Sequence, residues 1–245
     1  MASTRGLKQC IRDGDVIVSL RVDLDYERAR LEQALGMGAY DLVYVDGQHS
    51  PYSDERLVDF CAMVDDLGLP VQFRIPHTRH AHLVGRYLDL GLSALLVPEV
   101  VEVETVDEAI AFAYYPQQGR RSWGGPARRG LQQWQGAPDR LQYAEWWNDH
   151  VVLAIQLESV VAITRASQLA RPGVDYVAFG PNDLHFNLEG HPHFPLHSVD
   201  DCMRNVAAQL EGTGIRLGMA VTTTPEERQP FLDMGITVFQ EAPGC

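Results

Sequence analysis

The stretch Val151–Asp183 reads VVLAIQLE, SVVAITRASQLA, RPGVD and YVAFGPND. An apolar run, Val151–Leu157, closes on Glu158. A helix-length stretch, Ser159–Ala170, stops before Pro172-Gly173. A second apolar run, Tyr176–Phe179, opens into Gly180-Pro181-Asn182-Asp183. Two short buried runs around a helix-length segment read as a strand–helix–strand unit, which implies parallel strands and a right-handed crossover. Both strands deliver a carboxylate at or just past their carboxyl ends.

Working outward, the same unit recurs. Strand-like runs precede it at Val16–Leu20, Leu42–Val45, Val71–Ile75 and Ala94–Val97, and follow it at Leu217–Val221 and Thr237–Gln240. Helix-like stretches lie between them: Asp25–Leu35, Asp54–Leu67, Leu83–Leu90, Glu104–Ala113, Val199–Leu210 and Pro225–Met234. Most stop at or near a glycine, which takes the left-handed conformation of a helix end without a Cβ clash. Eight such strands favour a closed (β/α)8 barrel over an open sheet, and no GxGxxG follows the first strand. The reading is one α/β TIM-barrel domain over residues 1–245. Two irregularities stand out. Pro116–Trp147 is long and rich in Gly, Arg, Gln and Trp, and is expected to be a functional loop. After the eighth run the chain stops at Cys245, so the barrel is expected to lack its last C-terminal helix. A partner subunit or the N-terminal segment would then cover the exposed strand surface.

Composition narrows the function. The chain has 245 residues, 45% hydrophobic and 22% charged, as expected of a globular enzyme-sized domain. Its net charge of −13 argues against nucleic acid or an anionic membrane as partner. The apolar runs are strand-sized, too short to span a bilayer. Cys10, Cys61, Cys202 and Cys245 show no CxxC spacing, so a reducing cytoplasm is the expected location.

In a barrel of this kind the chemistry sits at the carboxyl ends of the strands. Glu158 and Asp183 can hold one divalent cation, their few hard oxygens suiting Mg²⁺ or Mn²⁺. The plain alternative is that Glu158 caps the next helix and Asp183 forms a turn. Arg74, closing the third strand, can oppose a developing oxyanion or pair with a carboxylate. His49 can act as a general base, oriented by Asp46, or be an ordinary loop histidine. Asp89 stands at a helix C-terminus, where an acid opposes the macrodipole. A helix end there points to the bottom of its own barrel, so a neighbouring subunit could present Asp89 to a mouth more easily than its own chain. His77, His80, His82 and His191, His193, His197 match no zinc spacing and read as loop and helix-start residues. No GxSxG, cysteine nucleophile or phosphate-cradling loop is present, and no lysine ends a strand to form a Schiff base.

With these residues in place the chain resembles the HpcH/HpaI family of metal-dependent, class II pyruvate aldolases. The resemblance rests on ordered segments: Tyr40–His49 (YDLVYVDGQH), Phe73–Pro76 (FRIP), Leu88–Gly91 (LDLG), Leu95–Pro98 (LLVP), Tyr115–Gly119 (YPQQG), Ile155–Glu158 (IQLE) and Gly180–Leu184 (GPNDL). It implies a (β/α)8 barrel assembled as a homo-oligomer, dimer or hexamer, that exchanges its C-terminal helix. It implies Glu158 and Asp183 as ligands of Mg²⁺ or Mn²⁺, with Co²⁺ also admitted. Arg74 matches the arginine that steadies the enolate, His49 the base that works through water, and Asp89 the acid that raises its basicity. Gln156, Asn182 and Asp183 match substrate contacts. The chain departs from the family pattern at Gln48, at Asn182 and at Ser122-Trp123, all expected to line the mouth.

The implied reaction is reversible cleavage of a 4-hydroxy-2-oxo acid to pyruvate, or a related 2-oxo acid, and an aldehyde through a metal-stabilised enolate. Alternatives are an oxaloacetate decarboxylase or an acyl-CoA lyase using the same enolate, or a non-catalytic barrel that binds a 2-oxo acid.

Overall fold

The eight apolar runs become β1 (Ile17–Arg21), β2 (Leu42–Asp46), β3 (Val71–Arg74), β4 (Ala94–Val97), β5 (Val152–Leu157), β6 (Tyr176–Phe179), β7 (Arg216–Ala220) and β8 (Ile236–Glu241) in a computed structural model. All neighbours pair in parallel, and β8 closes on β1 with Ile17 opposite Val238. The barrel is therefore complete. The structure describes residues 5–131, 139–221 and 223–243.

The period-two alternation of a strand sorts side chains into two cores. Ile17, Leu42, Tyr44, Ala94, Leu96, Val152, Ala154, Tyr176, Ala178 and Val238 fill the lumen. Their outward neighbours, among them Leu20, Val43, Val45, Phe73, Leu95, Ile155, Val177 and Phe239, pack under the surrounding helices. Within the lumen the Gln72 amide meets the Tyr176 hydroxyl at 2.6 and 2.9 Å, so both buried polar groups are satisfied. The same alternation carries Arg21, Asp46, Arg74, Gln156, Glu158 and Gln240 to the lumenal side at the carboxyl ends of their strands.

Several helices differ from the pattern read in the sequence. Ser159–Ala170 divides into Val160–Thr164 and Ala166–Leu169, because Arg165 leaves helical geometry at ψ 11°. Leu83–Leu90 begins as a 3-10 turn, Thr78–Leu83, before the short helix Val84–Leu88. Pro225–Met234 contains only Gln229–Asp233. Three helices stand outside that pattern: Leu7–Asp13, Pro181–Glu189 and, within the long connection, Arg140–His150. Leu7–Asp13 plugs the amino-terminal end of the barrel, its Cys10 and Ile11 packing with Ile17 and Leu42. Pro181–Glu189 follows β6, its proline at the first turn, where no amide hydrogen is needed.

The long connection is also shorter than expected. Its last part is the helix Arg140–His150, capped by Asp139. Residues 132–138 of the expected loop lie outside the described residues, as does Cys245. The remaining aromatics interlock: Tyr115, Trp123, Tyr143 and Trp147 pack edge-to-face or tilted at 5.4–6.4 Å between ring centres. Arg129 of this segment reaches the Leu69 carbonyl and the Ser93 hydroxyl, just before β3 and β4 begin. The segment therefore packs at the amino-terminal end of its own barrel, away from the mouth where Ser122-Trp123 was expected. Among the described residues, β8 is the last element, and no helix is long and apolar enough to cross a membrane.

Candidate active site

The carboxyl-end mouth is a cavity of about 450 Å³ lined by Arg21, His49, Arg74, Gln156, Asn182, Asp183 and Gln240. It gathers five of the sequence-predicted site residues, and Glu158 sits beside it.

Arg74 and Asp46 form its base. Arg74 donates from Nε to Asp46 Oδ1 at 2.8 Å and from Nη2 to Oδ2 at 2.5 Å, and from Nη1 to Gln156 Oε1 at 3.3 Å. Asp46 also accepts from the backbone N–H groups of Gln48 (2.9 Å) and His49 (3.4 Å). Burial alone would raise the Asp46 carboxyl, but the Arg74 hydrogen bond and charge and the two amides outweigh it and hold it below its ordinary value. Asp46 thus holds His49 through its backbone N–H, and it also fixes Arg74. Gly47 permits this turn, since a Cβ there would run into the Phe73 ring and the Arg74 carbonyl.

Glu158 is 7% exposed, and its Oε1 is buried with no hydrogen-bond partner among the described residues. Burial first, then the neighbouring Asp183 charge, push its carboxyl up to about 7, while Arg74 opposes the shift. The Glu99 backbone N–H also favours the charged form. Glu99 is the only described non-glycine residue with positive φ, 52°, a costly conformation that marks the loop after β4 as constrained. Asp183 is exposed in the first turn of Pro181–Glu189.

This arrangement fits a hard divalent cation. An orphaned carboxylate oxygen and a second acid that raises its proton affinity are the electrostatic mark of a site completed by positive charge. Gly180 keeps space open beside them. A Cβ there would come within 2.8 Å of Gln156 Nε2 and 2.9 Å of Glu158 Cγ and Cδ. Among the described residues no group of three or more His, Cys, Asp or Glu stands ready to hold a metal ion, at the mouth or elsewhere, so the candidate site rests on two carboxylates.

The chain's one lysine settles a separate point. Lys8 is 1% exposed at the opposite end of the barrel, donating to Tyr114 Oη (2.8 Å), the Val151 carbonyl (2.7 Å) and Asp175 (3.0 Å). No lysine amine therefore stands at the mouth to form a Schiff base.

Asp89 is not brought to the mouth of its own chain. It ends the helix Val84–Leu88 and pairs with Arg121 at 2.6 Å. Arg121 in turn lies over the rings of Trp147 and Tyr115, at 4.2 and 4.9 Å. The histidines after β3 serve local structure: His77 caps the 3-10 turn, and His80 meets Tyr87 Oη at 3.0 Å. The sequence reading passed over Arg21, Gln240 and Glu99. Arg21 was legible, because Ile17 and Ser19 set a period-two series that ends on it.

The family model for HpcH/HpaI aldolase/citrate lyase matches residues 25–242. A hydroxypyruvate/pyruvate aldolase of Deinococcus radiodurans is 33% identical over 184 residues, covering 72% of this chain. The match spans 64% of that relative, just under two thirds of its length. One of the same name from Cupriavidus necator is 30% identical, over 84% of this chain and 75% of its own. The crystal structure of an HpcH/HpaI aldolase from Desulfitobacterium hafniense superposes with a TM-score of 0.81 at 24% identity, covering 97% of this chain and 90% of that one, a likeness of fold.

Proposed function

The chain belongs to the HpcH/HpaI aldolase/citrate lyase family, and from that membership we propose that it is a divalent-metal-dependent aldolase acting on 2-oxo acids. It cleaves a 4-hydroxy-2-oxo acid to pyruvate, or a near relative, and an aldehyde, and runs the condensation in reverse. The observation that carries this reading is the buried Glu158 carboxylate, one oxygen of which has no partner among the described residues, beside Asp183 and next to the cavity that Arg74 lines.

Glu158 and Asp183 would hold the cation, Mg²⁺ or Mn²⁺ by their hard-oxygen chemistry. When bound, it supplies Lewis acidity to the substrate's 2-oxo group. The rest is the work of side chains. Gln156, half engaged by Arg74, and the first turn around Asn182 and Asp183 orient the 2-oxo acid. His49, exposed at the rim, takes the proton of the 4-hydroxyl directly or through a water. As that O–H electron pair becomes the aldehyde C=O, the C3–C4 pair moves into the enolate, whose oxyanion faces the Arg74 guanidinium. Asp46 holds that guanidinium rigid, so little reorganisation accompanies the charge shift. Protonation at C3 then gives pyruvate. The absence of any other lysine than Lys8 leaves this reading without a Schiff-base competitor.

Asp89 takes part only from a neighbouring subunit, so the active form is a homo-oligomer. The working compartment is the reducing cytoplasm, in keeping with the buried thiols of Cys61 and Cys202. Incubation with pyruvate, a panel of aldehydes and Mg²⁺ or Mn²⁺, with adducts identified by mass, tests the activity. Adducts in the presence of cation and none after chelation are expected. Pyruvate release from oxaloacetate without any aldol adduct would favour the decarboxylase alternative.

A further inference from the structure

Arg21 occupies a position that the proposed chemistry leaves unused. It ends β1, and the series Ile17, Ser19, Arg21 turns its side chain to the lumenal side of the mouth. Its single hydrogen bond among the described residues runs from Nη2 to Asp46 Oδ2 at 3.3 Å. That carboxylate is already held at shorter range by Arg74 and by the Gln48 amide. A guanidinium has five N–H donors; Arg21 lines the cavity, and its side chain is 48% exposed.

The barrel order sets where that charge acts. β1 stands diametrically across from β5 in the closed sheet, and Glu158 and Asp183 lie at the β5–β6 side. The 2-oxo acid belongs at that side, with its reacting carbon toward the middle of the mouth. The second substrate then occupies the side formed by the ends of β7, β8 and β1, which is lined by Ala220, Gln240, Ala242 and Arg21. These neighbours are small or neutral, so Arg21 supplies the charge that meets the far end of the acceptor.

From this geometry, and resting on the aldolase reading, we infer that Arg21 is a specificity-determining residue that selects aldehydes carrying an anionic group, a carboxylate in the first instance, at the end remote from the carbonyl. A planar guanidinium pairs bidentately with a carboxylate, and partial enclosure strengthens the pair over one in open water. With a net charge of −13 the protein repels anions at long range, so a local cation is what retains such a substrate.

The test compares matched acceptors with pyruvate and Mn²⁺: 4-oxobutanoate against butanal, and glyoxylate against acetaldehyde. The wild type is expected to show higher kcat/KM for the anionic member of each pair. Arg21→Gln is expected to lower kcat/KM for the anion about ten- to hundredfold, the scale of one charge-assisted contact, and to lower the neutral partner's much less. Arg21→Lys should recover part of the preference. Calorimetric titration with 4-oxobutanoate in the absence of pyruvate reads the same contact as binding, weakened in Arg21→Gln. Exchange of the pyruvate methyl protons, which needs no acceptor, is followed in each variant. A wild type indifferent to acceptor charge overturns the inference. So does an Arg21→Gln that loses both acceptors and methyl exchange in parallel, because Arg21 would then act by holding Asp46 and Arg74. A wild type that exchanges no methyl protons removes the aldolase reading itself, and this inference with it.

Discussion

Arg74 grips Asp46 with two parallel hydrogen bonds, Nε to Oδ1 at 2.8 Å and Nη2 to Oδ2 at 2.5 Å, tying the ends of β3 and β2 into one rigid element. The pair is nearly dry, with side chains 9% and 2% exposed. Such a pair adds modest net stability, but losing one partner strands the other's charge. Asp46→Asn is therefore expected to destabilise the fold by about 3 kcal/mol, read by denaturant melts. Arg74→Ala is expected to lower kcat by about two to three orders of magnitude, as when an oxyanion donor is lost. Near-normal turnover in Arg74→Ala would remove Arg74 from the chemistry.

Glu158 gives a pH dependence with a definite sign. Its carboxyl is pushed up to about 7 from an ordinary 4.5. In the metal-free protein the folded state therefore binds this proton more tightly than the unfolded chain does. The contribution is a cost that begins as pH rises past the unfolded value and is complete above about 7. Glu158→Gln should raise the metal-free melting temperature near pH 8, by an amount of order 1–3 kcal/mol in stability. It should leave the melting temperature at acid pH little changed. By the same linkage, Mn²⁺ affinity measured by calorimetry should fall as pH drops below about 7, with proton release on binding. A flat affinity profile between pH 5 and 8 would contradict this.

Gly180 separates steric from electrostatic control of the site. Its φ of −98° suits any residue, so only space forbids a side chain. Gly180→Ala would press on Gln156 and Glu158. It is expected to weaken cation binding tenfold or more while costing the metal-free protein only about 1–3 kcal/mol, the usual range for overpacking. Unaltered Mn²⁺ titration in this variant would move the cation elsewhere.

Asp89 offers a test of assembly. Within its own chain it is bound to Arg121, which is 1% exposed with Nε and Nη1 unpartnered. If Asp89 serves a neighbour's mouth, Asp89→Asn and Arg74→Ala proteins, each impaired alone, should regain activity when unfolded and refolded together. Mixed assemblies would contain some mouths with both residues intact. Activity equal to the sum of the two separate proteins would confine Asp89 to its ion pair with Arg121.

The sequence made the barrel legible because eight strand-sized apolar runs alternate with helix-like stretches, most of them stopped by a glycine, and that many parallel strands favour closure over an open sheet. The acids at the ends of β5 and β6 were legible for the same reason. Asp46 was legible as a neighbour of His49 but not as the partner of Arg74, as the bidentate grip depends on β2 and β3 being in register, with Asp46 opposite Arg74. Asp89 could be placed only as a helix end, and its Arg121 partner comes from a loop whose course no periodicity encodes. The helices Leu7–Asp13 and Arg140–His150 escaped because the first is short and the second spreads Leu141, Tyr143, Trp146 and Trp147 round its axis without a single apolar stripe, its burial decided by Tyr115 and Trp123 packing on Tyr143 and Trp147. Glu99's positive φ leaves no mark in composition at all.

The central claim is that Glu158, Asp183 and a divalent cation let this mouth form a pyruvate enolate. It is tested most directly by following the pyruvate methyl signal by NMR in D₂O with Mn²⁺- or Mg²⁺-loaded protein and no aldehyde, quenching and removing the metal before each spectrum. Exchange of the methyl protons is expected in the wild type, abolished by chelator and by Glu158→Gln, and strongly slowed in Arg74→Ala. No exchange in the loaded wild type, or exchange that continues after chelation, would contradict it.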